Sequence, residues 1–373
     1  HLGETGAVLA GTNNIADTVT VTDNGYRYGS GCSTWGSALC TVGKDSVIKN
    51  SLTYNNVCEG LNAYAASSGA IIEDNVSYDN KSVNLYVDSS SGTIVRRNLV
   101  YHSPNSSSSS RGITIGGETG GVSNVTIVNN LVMGGFVNLE VDSNVTSLNG
   151  VNISYNTFVN SRGDANSGYN MGIYFRSNLK SFSNSTFSNN LVIEEPSNRT
   201  PVSVSSSHNG LTFSHNAWSK TPNSAAQGAG DITCPTSDCG ISKNGTYSAG
   251  ALSPEWFKIL SNSPARDKAE VISSVSEDFF KNQRGSLPDI GAHEFDASSS
   301  PSSPVPTAGT STPSPTPKPG DANWDKNVNE TDFGIWFSNY KQSVKGGNTV
   351  GDFNNSGKVD GVDYVIWLNN YGK

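Results

Sequence analysis

The chain has 373 residues, of which 34% are hydrophobic and only 15% charged, with 39 glycines and a net charge of −8. Long Ser, Asn and Thr runs with so little charge exclude an ordinary helical enzyme, and the spaced Val, Ile, Leu and Tyr exclude a wholly disordered chain. No basic cluster exists to meet nucleic acid, and no apolar run approaches the roughly 20 residues that cross a bilayer.

The sequence begins at His1 with neither Met nor a signal peptide, and reads as processed, truncated or incomplete upstream. Five cysteines follow. Cys32 and Cys40 flank a Gly/Ser-rich loop and Cys234 and Cys239 flank Pro-Thr-Ser-Asp, so both pairs read as short-loop disulfides. Cys58 is left as a buried thiol or as a rival partner for Cys32 or Cys40. Disulfides favour an oxidising, extracellular setting, and no Cys/His spacing suits zinc.

From residue 48 onward a repeat emerges. One column runs Ser51, Asn75, Asn98, Asn130, Asn156, Asn190, Asn216, at intervals of 24, 23, 32, 26, 34 and 26 residues. An apolar residue stands three places before each member: Ile48, Ile72, Val95, Ile127, Ile153, Phe187, Phe213. Asn tolerates left-handed backbone, so it is expected to turn the chain between strands, and stacked amides would hydrogen-bond along a ladder. A second strand carries apolar residues two apart: Leu61/Ala63, Val83/Leu85, Ile113/Ile115, Val137/Leu139, Ile173/Phe175 and Val202/Val204. Period two puts these inward and their neighbours outward. A coil of low-twenties length cannot bury its own apolar face, so the pattern predicts a solenoid stabilised by stacking.

Segments such as Ile71-Ile-Glu-Asp-Asn-Val-Ser-Tyr78 and Ser82-Val-Asn-Leu-Tyr-Val87 resemble those of secreted right-handed parallel β-helix proteins, over roughly residues 40 to 220. Ser263-Pro-Ala-Arg-Asp267 and Pro288-Asp-Ile-Gly-Ala-His-Glu-Phe295 resemble the closing segment of that class, with Arg266 where a small or aliphatic residue is expected. The resemblance implies a mainly β fold for residues 1–296. The class holds pectate lyases, uronan epimerases, glycosidases, tailspikes and adhesins, so the fold does not choose a function.

On the outward positions of the second strand stand Tyr64, Tyr86, Glu140 and Arg176, with Asp88 and Asp142 just beyond. Aromatic faces beside charged groups suit a sugar chain, and a solvated sheet surface is the plainer reading. Glu140 and Asp142 share one strand face, roughly 7 Å apart by strand rise, compatible with a hydrolytic pair. Arg96 and Arg97 stand one coil after Glu73 and Asp74, as a surface ion-pair cluster. His102, His208, His215 and His293 form no spaced motif, and no catalytic residue is assigned.

Residues 297–319 are nearly all Ser, Pro, Thr and Ala, an extended linker able to reach on the order of 70 Å. Beyond it, residues 320–373 contain a duplication offset by 31 residues, Gly320-Asp321 matching Gly351-Asp352 and Trp336 matching Trp367. Oxygen-bearing residues recur at loop positions 1, 3, 5, 7, 9 and 12: Asp321, Asn323, Asp325, Asn327, Asn329, Asp332, then Asp352, Asn354, Ser356, Lys358, Asp360, Asp363. Asn327 and Lys358 would contribute main-chain carbonyls. Ca²⁺ needs six to eight oxygens from one tight loop, and this spacing supplies them.

The two copies resemble the halves of a dockerin, each an EF-hand-type loop followed by one helix, expected over Asp332–Tyr340 and Asp363–Tyr371. The resemblance implies Ca²⁺ as cofactor and a cohesin-like protein as partner. Lys326 replaces the usual loop glycine, and positions 10 and 11, Glu330-Thr331 and Gly361-Val362, differ from the usual recognition pair. Trp336 with Tyr340 and Trp367 with Tyr371 lie four apart on one helix face, beside Phe337 and Leu368. These six form either a docking patch or the module's own core. Two functions follow. In one, an extracellular β-helix engages polysaccharide and is docked to a scaffold or neighbour. In the other, it is a structural subunit of a fibre or surface coat, joined to neighbouring subunits by linker and calcium module.

Overall fold

The computed structural model describes residues 5–25, 32, 36–65, 67–106, 110–163, 168–176, 181–204, 210–295, 318–323, 327–344, 347–354 and 356–372. Most of the expected linker, and Asp325, Lys326 and His208, lie outside them. The chain separates into two units, His1–Pro301 and Ser302–Lys373.

The first unit is a parallel β-helix. Each coil contributes a strand to each of three sheets, as in Glu59–Tyr64, Ile71–Glu73 and Val76–Tyr78, then Val83–Asp88, Ile94–Arg96 and Leu99–Tyr101. Every neighbouring strand pair in these sheets is parallel, with like residues in register. In the first sheet Leu61, Leu85, Ile113, Leu139, Ile173 and Val202 form one file. In the second, Ile72, Val95, Ile127, Ile153, Phe187 and Phe213 form another. Both files lie in one interior core, where each buried aliphatic side chain stabilises by about 1.5–3 kcal/mol.

Two expected pairs shift by one step. The inward residues are Leu85/Val87 and Leu139/Val141, while Val83 pairs with Glu59 and Arg111 outside the core. The strand bends at Gly60, Asn84 and Gly112, so strict alternation fails before the bend. Gly60 is needed there, because a Cβ would stand 2.5 Å from the Asn84 carbonyl oxygen.

The asparagine column is a hydrogen-bonded ladder. Asn98 Nδ2 donates to Asn130 Oδ1 at 2.9 Å, Asn130 Nδ2 to Asn156 Oδ1 at 2.9 Å, and Asn156 Nδ2 to Asn190 Oδ1 at 3.0 Å. The left-handed turn residue is the one before each ladder member. Asn50, Asp74, Arg97, Asn129, Tyr155, Asn189 and His215 all have φ between +50° and +57°. Such backbone costs a non-glycine residue about 1–2 kcal/mol, and the buried amide bonds beside it offset that.

Cys32 bonds to Cys58, not to Cys40. Their Cα atoms are 4.8 Å apart, the spacing of neighbouring coils, whereas Cys40 is a free buried thiol within the first sheet. Burial, aided by the nearby Glu59 charge, pushes that thiol up to about 12. Cys234–Cys239 forms as expected.

The closing segment packs on the outer face of the third sheet, Trp256, Phe257, Ile259, Ile290 and Ala292 meeting Tyr101, Met133, Val159 and Ile193. Arg284 pins it: its guanidinium pairs with Glu294 at 3.0 Å, donates to Asn129, and lies 3.9 Å from the Tyr155 ring centroid. Arg266, the exception noted above, stacks on Phe295 at 4.3 Å.

In the second unit, helices α1 (Glu330–Asn339) and α2 (Gly361–Asn370) begin two residues before the expected starts. The shift has a cause in the loops. Asn329 and Asp360 cap the helices, and Asp332 and Asp363 close a capping box on each. Trp336 Nε1 donates to the Asp360 carbonyl and Trp367 Nε1 to that of Asn329, each at 2.9 Å. Both indoles are therefore core, and the two halves hold each other.

Candidate functional site

The outer face of the first sheet gathers the sugar-contact candidates Tyr64, Tyr86 and Glu140. Its central file runs Cys40, Asn62, Tyr86, Thr114, Glu140, Tyr174, Ser203. A parallel file runs Tyr64, Asp88, Gly116. The outward phase of Tyr64, Tyr86, Glu140 and Arg176 thus holds, but two of them are not exposed. Tyr86 is 4% and Glu140 0% accessible.

Glu140 is clamped. Arg111 Nε and Arg176 Nε each donate to one of its oxygens, the second at 2.7 Å. Arg176 also approaches Asp142 at 3.7 Å and packs between the rings of Tyr169 and Tyr174, 5.5 Å from each centroid. Burial opposes the charge of both guanidiniums, yet Glu140 raises their affinity for the proton. Both Glu140 oxygens are thus engaged by arginines, and Asp142 shares Arg176 with it.

Tyr86 lies across Gly116, where a Cβ would stand 2.0 Å from its hydroxyl. That hydroxyl donates to Glu118 Oε1 at 3.2 Å. Two pockets open on this face, and Tyr86 lines the first. One, of about 270 Å³, is walled by Glu59, Arg111, Thr114, Glu118 and Asp142. The other, of about 330 Å³, is walled by Ser37, Glu59, Asn62, Tyr64 and Glu118. Glu59 and Glu118 line both.

Glu59 is 3% accessible. Its Oε2 accepts from Ser37 Oγ and Asn62 Nδ2, each at 2.6 Å, and the residue lines both pockets. Burial, with the Glu118 and Asp88 charges in support, pushes its carboxyl up to about 7 against the pull of those two hydrogen bonds. Burial and Asp88 also raise Glu118. Among the described residues, three buried side-chain oxygens on this face have no hydrogen-bond partner: Asn62 Oδ1, Asp88 Oδ2 and Thr114 Oγ1. Each is costly to bury unpaired, and Asn62 and Thr114 line the two pockets.

A larger pocket of about 560 Å³ lies against the third sheet. Its tyrosines Tyr54, Tyr78 and Tyr101 stack on one another at 5.0 Å, and none of the unpartnered buried atoms lines it. Arg96 and Arg97 bond Glu73 and Asp74 across adjacent coils, an ion-pair cluster as expected. His102 Nε2 lies 2.9 Å from Ser110 Oγ and Nδ1 lies 3.4 Å from Asp79, an arrangement spacing alone did not reveal. Ser110 is 1% accessible, and Asp79 also bonds Ser103 through its main-chain N–H and its hydroxyl.

In the second unit, oxygens of loop positions 1, 3, 5 and 7 gather around Ser356. Its N–H donates to Asp352 Oδ1 and Asn354 Oδ1, both at 2.9 Å, and its Oγ to the Lys358 carbonyl at 3.0 Å. Asp352 Oδ2 accepts from Gly357 N, and Asp363 from the N–H groups of Asn354 and Asp360. Asp360 is turned to its capping role. In the first loop Asp332 accepts from the N–H groups of Ala322, Asn323 and Asn329. Asp321, Asp332, Asp352 and Asp363 are all buried. Among the described residues no three His, Cys, Asp or Glu side chains converge, so a cation here would draw on neutral oxygens as well, as a hard cation does. Phe337, Tyr340, Leu368 and Tyr371 remain exposed on the helices.

The sequence matches no family model and no curated protein. Solved structures similar in fold include pectate lyase Pel9A, at 17% identity and TM-score 0.48, over 78% of this chain and 68% of that one. XylC in complex with xylose is similar at 14% identity and TM-score 0.45, over 78% of this chain and 50% of that one. The A-module of the Azotobacter vinelandii mannuronan C-5 epimerase AlgE6 is similar at 14% identity and TM-score 0.34, over 60% of this chain and 62% of that one.

Proposed function

We propose that the β-helix binds polysaccharide on the outer face of its first sheet, and that the chain is a secreted protein held in place by its C-terminal module. The observation carrying this is the pair of pockets that share Glu59 and Glu118, each lined by a buried oxygen that lacks a partner among the described residues. Hydroxyl-rich ligands supply donors for such acceptors, and the rim residue Tyr64 offers a ring. The two disulfides support an oxidising compartment.

The C-terminal module is read as dockerin-like. Asp352, Asn354, Ser356 and the Lys358 carbonyl, with Asp363, would hold Ca²⁺ in the second loop. Asp321, Asn323, Asn327 and Asp332 would form the first. The ion would neutralise buried carboxylates whose recorded donors in the second loop are main-chain N–H and hydroxyl groups. The exposed Phe337, Tyr340, Leu368 and Tyr371 suit a protein partner, a cohesin-like domain or a neighbouring subunit. Screening the full chain with Ca²⁺ against immobilised plant, algal and microbial polysaccharides tests the first part. Retention on at least one glycan is expected, and retention on none refutes it.

A further inference from the structure

Among the acidic groups of this face, Glu59 and Glu118 differ in surroundings. Glu59 is enclosed beside Gly60, with one oxygen held by Ser37 and Asn62, and lines both pockets. Glu118 sits exposed at the rim, in reach of solvent, with the Tyr86 hydroxyl fixing one of its oxygens. Two carboxyl groups pushed into different environments across one cavity are the arrangement by which acid and base are divided.

The charge around them also selects. Glu59, Asp88, Glu118 and Asp142 stand about the pockets, while the nearby cations Arg111 and Arg176 are engaged by Glu140. A uronate would bring a further negative charge to pockets whose lining carboxyls Glu59, Glu118 and Asp142 outnumber the lining Arg111. A neutral sugar would bring only hydroxyls, which Asn62 Oδ1 and Thr114 Oγ1 can accept.

We propose that this pocket hydrolyses an uncharged glycan, Glu59 protonating the glycosidic oxygen while the Glu118 carboxylate deprotonates the attacking water. The step rests on the reading of this face as a polysaccharide site. Water oxygen bonds to the anomeric carbon as its proton passes to Glu118. The bond from that carbon to the leaving oxygen breaks as the oxygen takes the proton of Glu59. Glu59 ends ionised and Glu118 protonated, solvent exchange restores both, and nothing is oxidised or reduced. The groups facing Glu59 are Cys40, Tyr64, Tyr86, Asp88, Arg111 and Glu118. Burial, supported by the Glu118 and Asp88 charges, keeps Glu59 protonated toward neutral pH.

The test incubates the full chain and Ca²⁺ with soluble neutral glycans (xylan, galactomannan, mixed-linkage β-glucan, pullulan) and, in parallel, with polygalacturonate and alginate. Reducing ends, ultraviolet absorbance of unsaturated products, and binding are read separately. Reducing ends are expected from at least one neutral glycan, with activity falling as pH rises past about 7. E59Q and E118Q are each expected to lose about 100-fold or more of the rate while melting and binding persist. Binding of a neutral glycan without cleavage, an E59Q variant as fast as the parent, or unsaturated products from a uronan would each overturn the hydrolytic proposal and leave the binding reading standing. Binding to no glycan would remove both.

Discussion

Asn75 and Asn98 are joined twice. Asn98 Oδ1 accepts both the main-chain N–H of Asn75, at 3.1 Å, and its Nδ2, at 2.9 Å. The same double contact recurs up the column and seals each turn against water. Asn130 is its midpoint, accepting from Asn98 and donating to Val95, Val128 and Asn156. Asn130→Ala strands several buried groups, each costing about 1–3 kcal/mol. A loss of about 3 kcal/mol or more is expected in urea unfolding. A loss under 1 kcal/mol, typical of surface changes, would contradict the ladder's role.

Glu140 tests the arginine clamp. Glu140→Gln removes the charge shared by Arg111 and Arg176 and leaves only the longer Arg176–Asp142 contact at 3.7 Å, and should destabilise by about 3–5 kcal/mol, as broken buried pairs do. Arg176→Gln should cost less, because Arg111 still satisfies the carboxylate. Thermal melts of the two variants give the order, and the reverse order would count against the clamp.

Much of this was legible in the sequence. The repeat, the phase of the first-sheet strands and the module's duplicated loops all follow from spacing. Three features were not. Asparagine's own tolerance of left-handed backbone concealed that Asp74, Arg97 and Tyr155 take that conformation instead. Loop length favoured Cys32–Cys40, whereas coil spacing decides for Cys58. Glu59 precedes the strand bend at Gly60, so the period-two rule did not carry back to it. Its pairing through Val83 with Arg111 is the signal that would have found it.

Glu194 gives a signed pH prediction. It is fully buried, accepts from Ser161 N at 2.8 Å, and burial pushes its carboxyl up to about 7. A raised acid contributes its stability below its unfolded value and loses it as pH rises through the folded one. The Glu194→Gln variant does not titrate. Its stability relative to the parent should therefore improve by about 3 kcal/mol between pH 4.5 and 8. A difference constant over that range would show Glu194 to be unperturbed.

Calcium removal should unfold the C-terminal module, which is too small to hold four buried aspartates together without a counter-charge. Circular dichroism of residues 320–373 is expected to show helix with Ca²⁺ and its loss with EDTA. Asp363→Ala should abolish the response. Identical helical spectra in both conditions would contradict the assignment.

If the first-sheet face meets the glycan, Thr114→Val is the variant that reads it. Thr114 Oγ1 has no partner within the protein, so replacing the hydroxyl by a methyl should leave melting unchanged or slightly raised. Titration of the full chain with whichever polysaccharide retains it should show affinity weakened about tenfold, the value of about one well-made hydrogen bond. Arg96→Ala, on the second sheet, should leave affinity unchanged. Equal affinity for Thr114→Val and the parent, or a loss confined to Arg96→Ala, would place the glycan elsewhere.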